Sequence, residues 1–242
     1  MAPDLNDSYT KDLSVKPYSV KEEIVDKFYH LSKNGDLLEV IEYFLTGGDY
    51  HHYIEIIRLG CFTDEYYKEH ALDMLDLGHS EDEIIQHLIG LDMHNPDEDE
   101  VIGRIAYSDF AFYISGVKKI GKQIRGAFIS PDYQAGGLGR SIYRRLVLKY
   151  DHIICDNIQS VAGGTLWASG IITLADISVY DTIRHEFIDI LKIGGVGKIS
   201  KIKVWSATRL SMSELSKWEP NAISHDCCHH IVNIISKDKL YN

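Results

Sequence analysis

Three glycines, Gly136, Gly137 and Gly139, stand between an apolar run at residues 126–129 and a basic, helix-patterned run at residues 141–150. Glycine lets a backbone approach a ligand closely, and the first amides of a helix have no partner inside it. A junction of this kind binds anions, phosphates above all. The dinucleotide pattern G-x-G-x-x-G fails, because Ile142 stands where the third glycine should follow Gly137 and Gly139. A P-loop fails too, since Gly194-Gly195-Val196-Gly197-Lys198 has Lys192 for the first glycine and Ile199 for the Ser or Thr.

Other reactive groups are fewer. Asp156 closes an apolar run at residues 152–156 and is either a proton acceptor or a turn and N-cap residue. Cys155 beside it reads as a nucleophile or as a buried, inert thiol. Tyr180, Asp181 and His185 either relay a proton near neutral pH or serve a strand and its turn. In His225-Asp226-Cys227-Cys228-His229-His230 like ligands are adjacent, which does not reproduce C-x-x-C and H-x-x-x-H pairs, so no metal site is expected. His51-His52 reads as a helix surface.

The elements around the glycines come in the order strand, Pro131, Gln134-Ala135-Gly136-Gly137-Leu138-Gly139, amphipathic helix. This Q-x-x-G-x-G arrangement resembles the pyrophosphate loop of the GNAT superfamily of N-acetyltransferases, over residues 101–173. The resemblance implies acetyl-CoA as co-substrate, with Phe128 and Ile129 along the pantetheine arm. Backbone amides of Gln134, Ala135, Gly136, Gly137, Leu138, Gly139 and Arg140 would surround the pyrophosphate, and the Arg140 or Ser141 side chain would add a contact. It also implies that the strands flanking the helix splay apart around the acyl group. Their order in the chain makes them a parallel pair with a right-handed crossover. The family's next helix commonly reads N-x-x-A-x-x-L-Y, with the Tyr as acid toward the CoA thiolate. Here Leu166 fits and Trp167 replaces the Tyr, and an indole cannot donate a proton in that way. The run at residues 156–167 is also similar to uncharacterised GNAT-like proteins encoded by bacteriophages, which would place the chain in a host cytoplasm.

At 242 residues, 45% hydrophobic and 25% charged, the chain has core enough for one large or two modest domains. No apolar run approaches the ~18 residues of a membrane span, the start lacks the pattern of a secretion signal, and four cysteines lack a disulfide spacing. A cytoplasmic protein with no membrane partner is expected. Residues 1–100 carry 24 Asp and Glu against 7 Lys and Arg, whereas residues 101–242 carry 12 against 18. Like charge makes nucleic-acid binding by the first part unfavourable.

Ser19 and Glu22 have capping-box spacing, and Val20, Ile24, Phe28 and Leu31 then share a helical face. Residues 37–45, 50–59 and 63–77 read as further helices, and a second box at Ser80 and Glu83 starts a last one through Leu91. Residues 101–107, 110–117 and 123–129 change to strand patterning, and strands around residues 177–180 and 199–205 follow. The expected fold is α+β: a mixed, mostly antiparallel GNAT-like sheet with flanking helices, preceded by a small all-α N-terminal module. The expected domains are a flexible terminus (1–16), an acidic helical module (17–94), a linker (95–100) and an acyl-CoA-binding domain (101–242).

The function expected is transfer of an acyl group, acetyl foremost, from CoA to an amine, with Asp156 the best-placed catalytic carboxylate. The acceptor is left open between a protein, a small molecule and a nucleic-acid-linked amine. One alternative is a CoA-binding or interaction module that has lost catalysis, motivated by Trp167. Another is a transferase acting on RNA or a modified DNA base, motivated by the Arg144-Arg145 face.

Overall fold

The computed structural model describes residues 3–6, 13–63, 65–134, 136–218, 220, 222–226 and 230–241. They form two compact units, one of residues 13–106 with 127–139, the other of residues 1–12, 107–126 and 140–242. Among the described residues no helix is long and apolar enough to cross a membrane.

The first unit contains β2 (Lys21–Leu31), β3 (Leu37–Thr46) and β4 (His52–Arg58), which follow β1 (Asp4–Asn6) in the chain. Helices α1 (Tyr66–Asp76) and α2 (Glu81–Gly90) come next, with a short 3-10 turn at Pro96–Glu98. β2 to β4 form an antiparallel meander. The expected all-α N-terminal module is therefore not present: three of its five helices are strands. The turns explain why. Gly35, at φ +87°, follows Asn34 between β2 and β3, and the Ser32 hydroxyl accepts from the amides of Asn34 and Asp36. Gly47, at φ +76°, opens the β3 to β4 turn. Positive φ at such pairs suits a tight hairpin. The two remaining helices stand where expected, and Ser80 and Glu83 form a complete capping box. Their inner faces, with Tyr67, Ala71, Ile84, Ile85 and Leu88, pack a core with Leu31, Leu37, Leu59 and Cys61. Residues 95–100, read as a linker, belong to this unit: the Gly60 amide donates to Asp99 Oδ1 (2.9 Å) and the Asn95 amide to the Gly60 carbonyl (3.1 Å).

The strands expected at residues 101–107 and 110–117 are one strand, β5 (Glu100–Ile114), and the one expected at 123–129 starts earlier, as β6 (Val117–Ile129); each contributes residues to both units. Ser115 and Gly116, at φ +50° and +79°, make the two-residue turn between them. Beyond β6 come α3 (Pro131–Gln134), α4 (Leu138–Tyr150), β7 (His152–Ile154), β8 (Ile158–Gln159) and α5 (Val161–Thr165), which runs into a π-helical turn at Leu166–Gly170. The chain ends with β9 (Ala175–Asp181), β10 (Glu186–Lys192), β11 (Val196–Gly197), β12 (Trp205–Arg209), α6 (Met212–Leu215), β13 (Ile223–Ser224) and β14 (Ile231–Leu240).

In the second unit the strands run β6-β7-β14-β9-β10-β11, with β14 antiparallel to both neighbours. A separate parallel sheet has the order β13-β12-β1-β8. β1, in the stretch read as a flexible terminus, lies inside that sheet, where Asp4 accepts from the hydroxyls of Ser206 (3.0 Å) and Thr208 (3.0 Å). The strand expected at residues 199–205 starts only at Trp205. Ahead of it the amides of Ile199 (2.8 Å) and Ser200 (2.7 Å) donate to the Asp189 carboxylate instead of a strand partner.

Candidate functional site

The glycine segment joins β6 to α4. Its entry is fastened at the strand end, where the Ser130 amide donates to the Ile102 carbonyl (2.7 Å). Pro131 then opens the single turn of α3, a position that needs no donor. Gln134 folds its side chain back, Nε2 donating to the Ile129 carbonyl (2.8 Å), so the Gln of the pattern secures the segment to the strand it has left. Gly137 has φ +83°, a conformation that costs any residue with a Cβ about 1–2 kcal/mol. Gly136 differs, since a Cβ there would meet only the Tyr133 carbonyl, at 3.6 Å. The helix proper starts at Leu138, which is buried, and Gly139 is its second residue. Phe128 and Ile129 are half-buried at the end of β6, and Ser141 is exposed. Ala135 lies outside the described residues.

The helix has the faces its sequence implies. Ile142, Leu146 and Val147 are buried, whereas Arg144, Arg145 and Lys149 are exposed. The cations on this helix are engaged within the protein: among them, Arg140 donates to Thr173 Oγ1 (3.4 Å), Arg144 donates to the Tyr241 carbonyl (3.2 Å), and Lys149 Nζ lies 5.4 Å from the Tyr150 ring centroid.

Past α4 the chain returns along β6 as β7, parallel as expected, with Lys122 opposite Ile153 and Gln123 opposite Ile154. β7 ends there, and the Gln123 side chain continues the contact by donating Nε2 to the Cys155 carbonyl (3.1 Å). The next residues leave for β8 and the other sheet, pinned by a bond from the Asp4 amide to the Asn157 carbonyl (3.1 Å).

The groups singled out for chemistry at this turn have contacts within the protein. Asp156 is 4% exposed and its Oδ1 accepts from the Asn157 amide (2.9 Å), as a turn residue would. Cys155 is fully buried, which pushes its thiol up to about 12, and its Sγ accepts from the Asn233 amide (3.1 Å). Trp167 is buried in the π-helical turn and packs edge-on against Tyr143, with ring centroids 5.6 Å apart and planes at 83°. Tyr143 is a titratable group beside this turn that the periodicity hid, because it occupies a buried position of α4 beside Ile142 and so reads as core. Burial pushes its phenol well above the ordinary range, against the neighbouring Trp167 indole; the charges of Cys155 and Asp156 push the same way as burial.

The second polar group resolves into strand and turn. The Tyr180 hydroxyl accepts from the Tyr113 amide (3.0 Å), Asp181 Oδ1 accepts from the amides of Ile183 (2.8 Å) and Arg184 (2.9 Å), and exposed His185 packs edge-on against Tyr113. His52 is not on a helix but buried in β4, 3.4 Å from Glu42 Oε1. Cys227, Cys228 and His229 lie outside the described residues. Among the described residues no group of three or more His, Cys, Asp or Glu is placed to hold a metal ion. No family model, no curated protein and no solved structure matches this chain.

Proposed function

We propose that the chain binds an acyl-CoA, acetyl-CoA foremost, through the segment at residues 134–141, and that it transfers the acyl group to an amine. The observation that carries this reading is the junction itself: a side-chain lock from Gln134 to Ile129, a left-handed Gly137, then the first turn of a 13-residue helix. Free amides and the positive end of the helix dipole favour a diphosphate at that place. The parallel return of β7, paired with β6 at two positions, supports the same reading, because ligands of open sheets gather where parallel strands end.

In the transfer, the lone pair of a neutral amine attacks the thioester carbonyl. A C–N bond forms, the C–S bond breaks, and the proton lost by the amine ends on the departing CoA sulfur. Cys155 is buried with its thiol pushed up, so in this reading the proton passes directly, through water, or by way of Asp156 in the turn after β7.

Titration of the full chain with acetyl-CoA by calorimetry tests binding. Saturation is expected, and no heat at millimolar ligand would remove the proposal. A second reading is favoured by Trp167, which is buried and stands where the resemblance would put the acid. It makes the chain a CoA binder without turnover. Release of free thiol from acetyl-CoA in the presence of a panel of amines separates the two, since the second reading expects none.

A further inference from the structure

The first unit contains a cavity of about 260 Å³ that none of the sequence motifs anticipates. Leu37, Leu59, Cys61 and Tyr67, all buried, give it an apolar floor. Its remaining walls are charged: Asp36, Glu65, Glu98 and Glu100 against Arg58 and Lys68, with Tyr133 between. Both cations are already matched, Arg58 Nε to Glu100 Oε2 (3.3 Å) and Lys68 Nζ to Glu65 Oε1 (3.8 Å). Two carboxylates then remain without a cation among the described residues. Asp36 accepts from a neutral donor, the Ser32 hydroxyl (2.8 Å), with the Tyr133 phenol close by, and Glu98 has no ion pair.

The placement of Glu98 is built into the fold. A Cβ on Gly60 would lie 2.5 Å from Glu98 Cβ, so only glycine lets this acidic segment approach so closely. The Asp99 carboxylate accepts from the Gly60 amide (2.9 Å) and from His94 Nε2 (2.9 Å), which holds the segment there.

A cavity with an apolar floor and two unmatched carboxylates suits a cation that carries hydrocarbon. An anion is disfavoured by the net charge of the walls, and a metal ion by the absence, among the described residues, of three ligands grouped to hold one. The volume is below the ~300 Å³ at which drug-sized pockets begin, so the occupant is small. We infer that this cavity binds a small aliphatic diamine or polyamine, its ammonium groups on Asp36 and Glu98 and its methylene chain on Leu37 and Leu59. The inference rests on the acyl-transfer reading only for the fate of the amine, which would be its acceptor. Binding itself does not depend on CoA.

The experiment titrates 1,4-diaminobutane into the full chain without CoA, followed by calorimetry and by amide chemical shifts. Saturable binding is expected, with shifts at Leu59, Cys61 and Tyr67 and no response to butane-1,4-diol. Asp36→Asn with Glu98→Gln should weaken binding by about tenfold or more, the usual scale for hydrogen bonds to charged groups. Should the Asp36 change disturb the β2 to β3 turn, exposed Glu98→Gln alone should still weaken binding about threefold or more. No saturation up to about 10 mM diamine, equal binding of the diol, or full affinity in the Glu98→Gln variant would each overturn the inference. Titrating acetyl-CoA separately keeps the two readings apart, because either site can fail while the other binds.

Discussion

Two neighbouring glycines of the β6 to α4 segment ought to respond oppositely to the same substitution. Gly137 has φ +83°, where an L-residue is disfavoured by about 1–2 kcal/mol. Gly136 has no such angle, and its added Cβ would find only the Tyr133 carbonyl at 3.6 Å, an ordinary contact. The segment is a half-buried connection held by Gln134. Strain at Gly137 is therefore relieved by the segment adopting another conformation, not by global unfolding. If the observed conformation is the one competent for CoA, populating it less weakens the apparent affinity by the same free energy. Gly137→Ala should then raise the Kd for acetyl-CoA by about 5- to 30-fold, while Gly136→Ala should stay within about twofold. Calorimetric titration of both variants against the parent measures this, with thermal melts to show that neither has lost the fold. Equal weakening by the two substitutions, or full affinity in Gly137→Ala, would refute the claim that the left-handed turn shapes the ligand site.

Asp189 should make the second unit sensitive to acid. Burial pushes its carboxyl up, but the Ser200 hydroxyl and the amides of Ile199, Ser200 and Ile190 outweigh that and hold it at about 2. The folded pKa is thus below the ordinary carboxylate value, so the contribution is complete above about pH 4 and is lost as pH falls toward 2. Asp189→Asn should lower the melting temperature near neutral pH and flatten its dependence between about pH 2 and 4; a parallel, merely shifted profile would contradict this. Cys155, with its thiol pushed up to about 12, should resist a disulfide reagent at pH 8 in the native protein and react only at the rate at which the β7 to β14 contact opens. Rapid native labelling of Cys155, read by mass spectrometry, would count against the buried role.

How much of this was legible depends on a coincidence of periods. Val20, Ile24 and Phe28 are spaced by four, which fits one face of a helix and also one face of a strand, since four is a multiple of two. The spacing cannot discriminate, and the Ser19 and Glu22 box tipped the reading toward helix although Lys16 and Lys21 are what the nearby glutamates engage. At Ser80 the same box precedes Ile84, Ile85 and Leu88, and no single strand face can bury residues one and four apart, so there the box was informative. The discriminating signals in the first unit were Asn34-Gly35 and Gly47-Gly48, which punctuate segments short enough for strands and rich in β-branched and aromatic residues. A helical reading of this stretch hides the meander, and with it the cavity, because Asp36 and Arg58 converge only once β3 and β4 are strands beside the held segment at residues 95–100. The strand-to-helix junction at residues 129–138 was legible because it depends on consecutive residues alone: a strand, a Pro, a Gln and a glycine run leave their pattern in one stretch of chain. The roles of Asp156 and Tyr143 depend on what β1, β14 and the π-helical turn bring beside them, and no spacing within residues 126–156 carries that information. Chemistry that reaches the reacting atoms from separate strands is therefore the part that sequence leaves open, and the diamine and CoA titrations address it at the two ends.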